Sequence, residues 1–389
     1  MITFEEALKI VINSAKETSF ENVGTLESLN RILAEDIYSD MNMPPFDKSA
    51  VDGYACKKEN IFNEMDLIEI IPAGKKPLKK IYSGQCSKIM TGAMLPEGAD
   101  CIIMVEDIVE NKNKIKFIKE FTNTNICFKA EDIHKGDLVL NKGIIIRPQD
   151  IAILASVGKV NPKVSCKPKI GIISTGDELV EPDITPELSQ IRNSNAWQLI
   201  AQIQKSGAVA NYKGIALDTK ESTFEKITNA LTNNDIIILT GGVSMGDFDY
   251  VPEIMKEIGV NILFKSIAVQ PGRPTVFGTK DNKYIFGLPG NPVSSFIQFE
   301  MLVKPLIIKM MGCTEEIPIL NIPIGVDYTR KKAERKSFIP VTIKNGLLFP
   351  VSYNGSAHIH SYAFANGIIW MEKGQSEIKK GEIISVRQL

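Results

Sequence analysis

The stretch Asp235-Ile236-Ile237-Ile238-Leu239-Thr240-Gly241-Gly242-Val243-Ser244-Met245-Gly246-Asp247-Phe248-Asp249-Tyr250 decides the fold. Its unbroken apolar run predicts a strand buried on both faces. The run ends in Thr-Gly and then presents carboxylates. Lys169-Ile170-Gly171-Ile172-Ile173-Ser174-Thr175-Gly176-Asp177-Glu178 repeats the plan. Where parallel strands stop, glycines let phosphates approach the backbone, and acids can hold a divalent cation. The two modules together predict a site for a phosphorylated ligand and Mg²⁺.

Outward from these modules the texture alternates between strand and helix. A helix is expected from Ser194-Asn195 through Trp197, Ile200 and Ile203, stopped by Gly207. Tyr212 to Leu217 reads as a strand, Phe224, Ile227 and Leu231 as a helix, and Val251 to Ile258 as another. The βαβ rhythm implies a doubly wound, mostly parallel sheet covered on both faces. Tyr284-Ile285-Phe286 leads into Gly287-Leu288-Pro289-Gly290-Asn291-Pro292 and a long helix to Met311, with a kink expected at Pro305.

Upstream, Phe4, Leu8, Val11 and Ile12 predict a first helix, and Leu29, Ile32 and Leu33 a second over 28–36. Residues 46–134 carry short β segments between Gly, Pro and Asn-Lys turns, a small inserted β domain. The expected division is a helical/β N-terminal domain (1–45 and 135–166), the inserted β domain (46–134), the α/β domain (167–314) and a C-terminal β domain (315–389). The fold class is multidomain α/β plus β.

The bulk numbers narrow the function. The 389 residues carry 45 basic and 46 acidic side chains, so no global positive field favours nucleic acid. No apolar run is long enough to span a bilayer, and the N-terminus reads as an acidic amphipathic helix, not a signal peptide. The six cysteines lack C-x-x-C spacing, which argues for a reducing, cytoplasmic setting.

Each motif has a plainer alternative. Thr175-Gly176-Asp177-Glu178 can be a helix cap with solvated acids. Three glycines and a serine after a buried strand, at 241–246, are harder to explain without a ligand. Asp218 closes the intervening strand and adds a carboxylate to the same edge. Pro289, Gly290 and Asn291 deliver a helix start that suits an anion, or only a turn. Pro271-Gly272-Arg273-Pro274 presents a cation, or a solvated arginine. His134, His358 and His360 make no convincing metal set.

Six segments carry a resemblance. They are Pro44-Pro45-Phe46-Asp47-Lys48-Ser49-Ala50-Val51-Asp52-Gly53-Tyr54-Ala55, the Gly-rich loop Met90 to Asp100, and Ala130-Glu131-Asp132-Ile133. The others are Ser174 to Leu179, Thr240 to Tyr250, and Gly287 to Ser294. In this order the chain is similar to the molybdopterin molybdenumtransferase family, which includes bacterial MoeA and the gephyrin E domain. The resemblance implies an enzyme that inserts molybdate into adenylylated molybdopterin and releases AMP with Mg²⁺. It implies an elongated homodimer whose active site is shared between subunits. Molybdopterin adenylyltransferase, molybdoenzymes or their chaperones are possible partners; nucleic acid and membrane are not expected.

Carried over residue by residue, Asp52 and Thr91 match the β-domain side of the family's cleft, and Glu178, Asp218 and Asp249 the α/β side. Mg²⁺ candidates are Asp177, Glu178, Asp218, Asp247 and Asp249. Thr175, Gly176, Gly241, Gly242, Ser244 and Gly246 are expected at the substrate, with Pro289, Gly290 and Asn291. For the oxyanion the candidates are Arg273, Arg335 and Ser356. Gln270 and Pro340 stand where the family commonly has lysine and arginine. Those two departures motivate an alternative, a diverged paralogue that binds pterin nucleotide or takes tungstate. A scaffold lacking insertion activity and the preceding adenylylation step are further alternatives. The first lacks a long disordered arm here, and the second has no need of the flanking domains.

Overall fold

The computed structural model describes residues 1–389 except 244–249, 353, 354, 356 and 357. The chain forms two units, one of 1–35, 142–147 and 162–389, the other of 36–141 and 148–161.

In the first unit, β1 (Lys169–Thr175), β2 (Val209–Ala216), β3 (Ile236–Thr240), β4 (Asn261–Phe264), β5 (Val276–Lys280) and β6 (Lys283–Leu288) form one sheet in the order β2-β1-β3-β6-β5-β4. The β2-β1-β3-β6 ladders are parallel, and the β6-β5 and β5-β4 ladders are antiparallel, so β5 alone runs against the rest. The apolar runs work as their alternation requires. Ile170, Ile172, Ile236 and Ile238 pack on one face with Leu199, Ile203 and Phe286. Ile173, Ile237 and Leu239 pack on the other with Ile227 and Ile254. Full burial of each such side chain contributes roughly 1.5–3 kcal/mol.

Helices α1 (Ser194–Lys205), α2 (Lys220–Asn233) and α3 (Val251–Glu257) connect the strands. After β6 the chain turns into α4 (Pro292–Gln298), a π-helical stretch Phe299–Val303, and α5 (Lys304–Met310). The π stretch lies immediately ahead of the turn holding Pro305, where a missing N–H breaks the regular ladder.

The C-terminal sheet is built on Lys336–Lys344, flanked by Gly367–Met371, Ile383–Gln388 and Ile319–Pro323. Val269–Gln270 adds to its edge in parallel. The N-terminal helix Phe4–Ser14 starts with a capping box between Thr3 and Glu6, and Phe4 meets Phe338 edge-on at 5.1 Å.

The helix expected over 28–36 is not formed. A short 3₁₀ turn, Leu26–Ser28, is followed by extended chain. The neighbouring residues Ile32 and Leu33 each find a different partner, Ile145 and Val164. Asn30 sits at φ 61°, which a helix excludes. Successive apolar residues imitated a helical stripe because both faces of this segment are covered.

The second unit holds a six-stranded sheet in the order Cys101–Met104, Gly53–Cys56, Gln85–Ile89, Met65–Ile71, Lys114–Phe117, Ile108–Asn111. Tyr54, Met65, Ile103 and Ile115 form its core. All six cysteines are free. Among the described residues no helix is long and apolar enough to cross a membrane.

Candidate active site at the strand ends of the α/β sheet

The strand order reverses direction between β1 and β3: after β1 the chain crosses to β2 on one side, then back to β3 on the other. In an open α/β sheet the crevice beyond the carboxyl ends at such a point is where ligands bind. A cavity of about 650 Å³ opens there. Thr175 and Gly176 at the end of β1, Thr240, Gly241 and Gly242 at the end of β3, and Pro289, Gly290 and Asn291 after β6 all line it. Asp218, just past β2, and Glu178 line it as well.

The glycines are required by close approach. Gly241 has φ 95°, and a Cβ there would stand 2.5 Å from Thr175 Oγ1 and 2.8 Å from the Thr175 carbonyl oxygen. The N–H of Gly241 is not available to a phosphate, because it donates to the Leu288 carbonyl at 3.1 Å. The N–H of Gly242 donates to no other described residue. Of the two glycines described in this turn, Gly242 and not Gly241 therefore offers its N–H. Ser244, Gly246, Asp247 and Asp249 lie outside the described residues.

The carboxylates divide. Glu178 and Asp218 line the cavity, whereas Asp177 does not. Asp177 and Asp218 each accept the other's backbone N–H, at 3.0 and 3.3 Å. Among the described residues no three His, Cys, Asp or Glu side chains come together as a metal cluster. Mg²⁺ is commonly held by one or two carboxylates, with waters and substrate phosphates completing its shell. Two carboxylates beside a glycine turn fit that donor set.

A segment that the sequence reading treated only as a helix start supplies much of the wall. Arg192, Asn193, Ser194 and Asn195 line the cavity. Asn193 caps α1 by accepting from the Ala196 N–H and also accepts from Ser174 Oγ at 3.0 Å. Its amide donates to Tyr212 Oη, which donates to Glu181 at 2.6 Å. Burial and the Glu181 carboxylate push the Tyr212 phenol above its ordinary range. Asn195 Nδ2 donates to the Gly290 carbonyl at 2.7 Å and to Thr240 Oγ1 at 3.2 Å, joining the turns after β3 and β6. The available signal was the run of short amide and hydroxyl side chains at 193–195 directly after an arginine.

Arg273 and Arg335 are not among the described residues lining the cavity. Arg335 Nη1 donates to the Val269 carbonyl at 3.1 Å. Ser356 lies outside the described residues. In the second unit, Asp52 and Thr91 are brought together: Asp52 Oδ1 accepts the Thr91 N–H at 2.7 Å and its hydroxyl at 2.9 Å. Those two bonds, the N–H first, hold the Asp52 carboxyl below its ordinary range.

Comparison with known proteins agrees with this architecture. Residues 2–158 match the "MoeA N-terminal region (domain I and II)", 171–309 the "Probable molybdopterin binding domain", and 326–389 the "MoeA C-terminal region (domain IV)". The chain is 35% identical over 397 residues to a molybdopterin molybdenumtransferase of Staphylococcus epidermidis, covering 99% of this chain and 95% of that one. A Staphylococcus aureus protein of the same name is 34% identical over 398 residues, with 99% of this chain and 95% of its own length covered. The molybdopterin biosynthesis moeA protein of Pyrococcus horikoshii OT3 superposes with a TM-score of 0.88 at 31% identity, covering all of both chains. With its three matched regions in order and full-length relatives above 30% identity, the chain belongs to the MoeA family of molybdopterin molybdenumtransferases.

Proposed function

We propose that the cavity at the ends of β1 and β3 binds adenylylated molybdopterin, and that the enzyme inserts molybdate into the pterin dithiolene and releases AMP with Mg²⁺. The observation carrying this reading is the convergence of Glu178 and Asp218 on a glycine-lined crevice at the point where the strand order reverses. Gly242 can donate to a phosphate, and Asn195 holds the turns around it in register. Glu178 and Asp218 would hold Mg²⁺, which when bound offsets charge on the phosphoanhydride as AMP leaves. The oxyanion roles of Arg273, Arg335 and Ser356, and the part of Asp52 and Thr91 in a site shared across a homodimer, belong to the same proposal and rest on family membership. So do the four-domain division, partnership with molybdopterin adenylyltransferase and molybdoenzymes, and a cytoplasmic setting.

One observation favours the second reading, a diverged binder of pterin nucleotide. Neither Arg273 nor Arg335 is among the described lining residues, and Arg335 is engaged with Val269. AMP release from adenylylated molybdopterin and Mg²⁺, with and without molybdate, separates the two. Molybdate-dependent release is expected; release that ignores molybdate, or none, supports the diverged binder.

A further inference from the structure

We propose that Arg192 is the specificity-determining cation of this cavity, holding a tetrahedral oxyanion of the substrate: the nucleotide phosphate or the free metal oxyanion. This deepens the reading of the cavity as a nucleotide site and rests on it. Of the charged residues described in the lining, Glu178 and Asp218 are acidic and Arg192 is the one cation. An anion entering between two carboxylates is repelled unless a fixed positive charge is present. Mg²⁺ held by Glu178 and Asp218 would offset their charge, and Arg192 is the described lining side chain that adds a positive charge of the protein's own, since neither arginine singled out from the sequence lines the cavity.

Its backbone is fixed on both sides. Val180 and Arg192 pair in a short parallel ladder. The Ile191 N–H donates to the Glu178 carbonyl and the Asn193 N–H to the Val180 carbonyl, each at 2.8 Å. The next residue, Asn193, is buried and held by Ser174 and Ala196. Arginine 192 and the acid Glu178 are thus mounted on the two sides of one small ladder. The side chain is tethered at one point only, Nε donating to the Ile184 carbonyl at 3.2 Å. The two Nη groups donate to no described residue. A guanidinium anchored through Nε and open at both Nη atoms is a planar fork, suited to two oxygens of a phosphate or a similar tetrahedral anion. An ammonium at the same place would supply charge without the paired donors.

The test titrates the full chain, as wild type, Arg192→Ala and Arg192→Lys, with AMP, with adenosine and with molybdate alone. Arg192→Ala is expected to weaken AMP or molybdate binding by about tenfold or more, the scale of a lost charge-assisted hydrogen bond. Adenosine, which has no phosphate, is expected to bind both proteins equally. Lysine is expected to restore part of the loss. Loss confined to AMP assigns the nucleotide phosphate, and loss confined to molybdate assigns the free oxyanion. Wild-type affinity of Arg192→Ala for both anions overturns the inference while the nucleotide reading stands. An equal loss for adenosine also overturns it, since the residue would then be architectural. Failure of the wild type to bind AMP overturns the reading of the cavity and this inference with it.

Discussion

Asp177 and Asp218 hold each other's backbones: the Asp218 N–H donates to Asp177 Oδ1 at 3.0 Å, and the Asp177 N–H donates to Asp218 Oδ2 at 3.3 Å. This reciprocal pair ties the end of β1 to the end of β2, and it gives two similar acids different duties. Asp177 is a clamp, while Asp218 also faces the cavity beside Glu178.

Asp177→Asn keeps the acceptor oxygen and is expected to leave AMP release near wild type. Asp177→Ala removes the acceptor and is expected to lower stability by about 1 kcal/mol. Asp218→Asn keeps the clamp but removes a charge from the cavity, and is expected to reduce AMP release at least tenfold without moving the urea midpoint. Equal activity of Asp177→Asn and Asp218→Asn in the release assay would contradict this division.

Gly241→Ala forces a side chain onto Thr175 Oγ1 at a backbone conformation that L residues rarely adopt. The expected destabilisation is about 2–4 kcal/mol, combining backbone strain and overpacking. Urea denaturation reads the loss, and nucleotide titration reads the accompanying distortion of the crevice.

Asp52 carries an acid-side pH signature in the second unit. Its folded pKa is depressed by Thr91, so the stability it adds is present above the unfolded value and is lost as pH falls through the lowered folded value. Thr91→Val removes the hydroxyl donor and keeps the stronger N–H bond. A carboxyl NMR titration is expected to show the Asp52 pKa rising part of the way toward 3.8. An unchanged titration would mean that the hydroxyl contributes nothing.

Glu300 joins a buried polar cluster behind the site. Its Oε1 accepts from Gln202 at 2.9 Å and its Oε2 from Lys304 at 3.1 Å, with the buried Arg387 close enough to feel its charge. Arg387 Nε and Nη2 have no acceptor among the described residues. Glu300→Ala strands these cations and is expected to cost about 3–5 kcal/mol in a denaturant titration. A loss below about 1 kcal/mol would show that the cluster behaves like an exposed pair.

Much of this was legible along the chain. The apolar runs at 169–175 and 235–239 read as doubly covered strands, and their isoleucines do alternate between two cores. The turns after them fell at the cavity because strand ends are fixed by where the run stops. What stayed hidden were effects of pairing in space. Ile32 and Leu33 imitated a helix while bridging to two different segments, at Ile145 and Val164. Gly241, expected at the substrate, lines the cavity with its N–H already donated to the Leu288 carbonyl across the sheet. Arg335, expected at the oxyanion, donates from Nη1 to the Val269 carbonyl, a contact that no local pattern in the sequence announces. Arg192 and Asn195 escaped notice because a helix start explains such residues locally, and only the fold reveals that this start opens onto the crevice.

A crystal structure of the full chain with AMP at saturation tests whether this crevice holds the nucleotide. Nucleotide density is expected at the ends of β1 and β3, between Gly176, Gly242 and Gly290, with phosphate oxygens toward Glu178, Asp218 and any bound cation. Nucleotide density elsewhere on the chain, with this crevice empty, would contradict it.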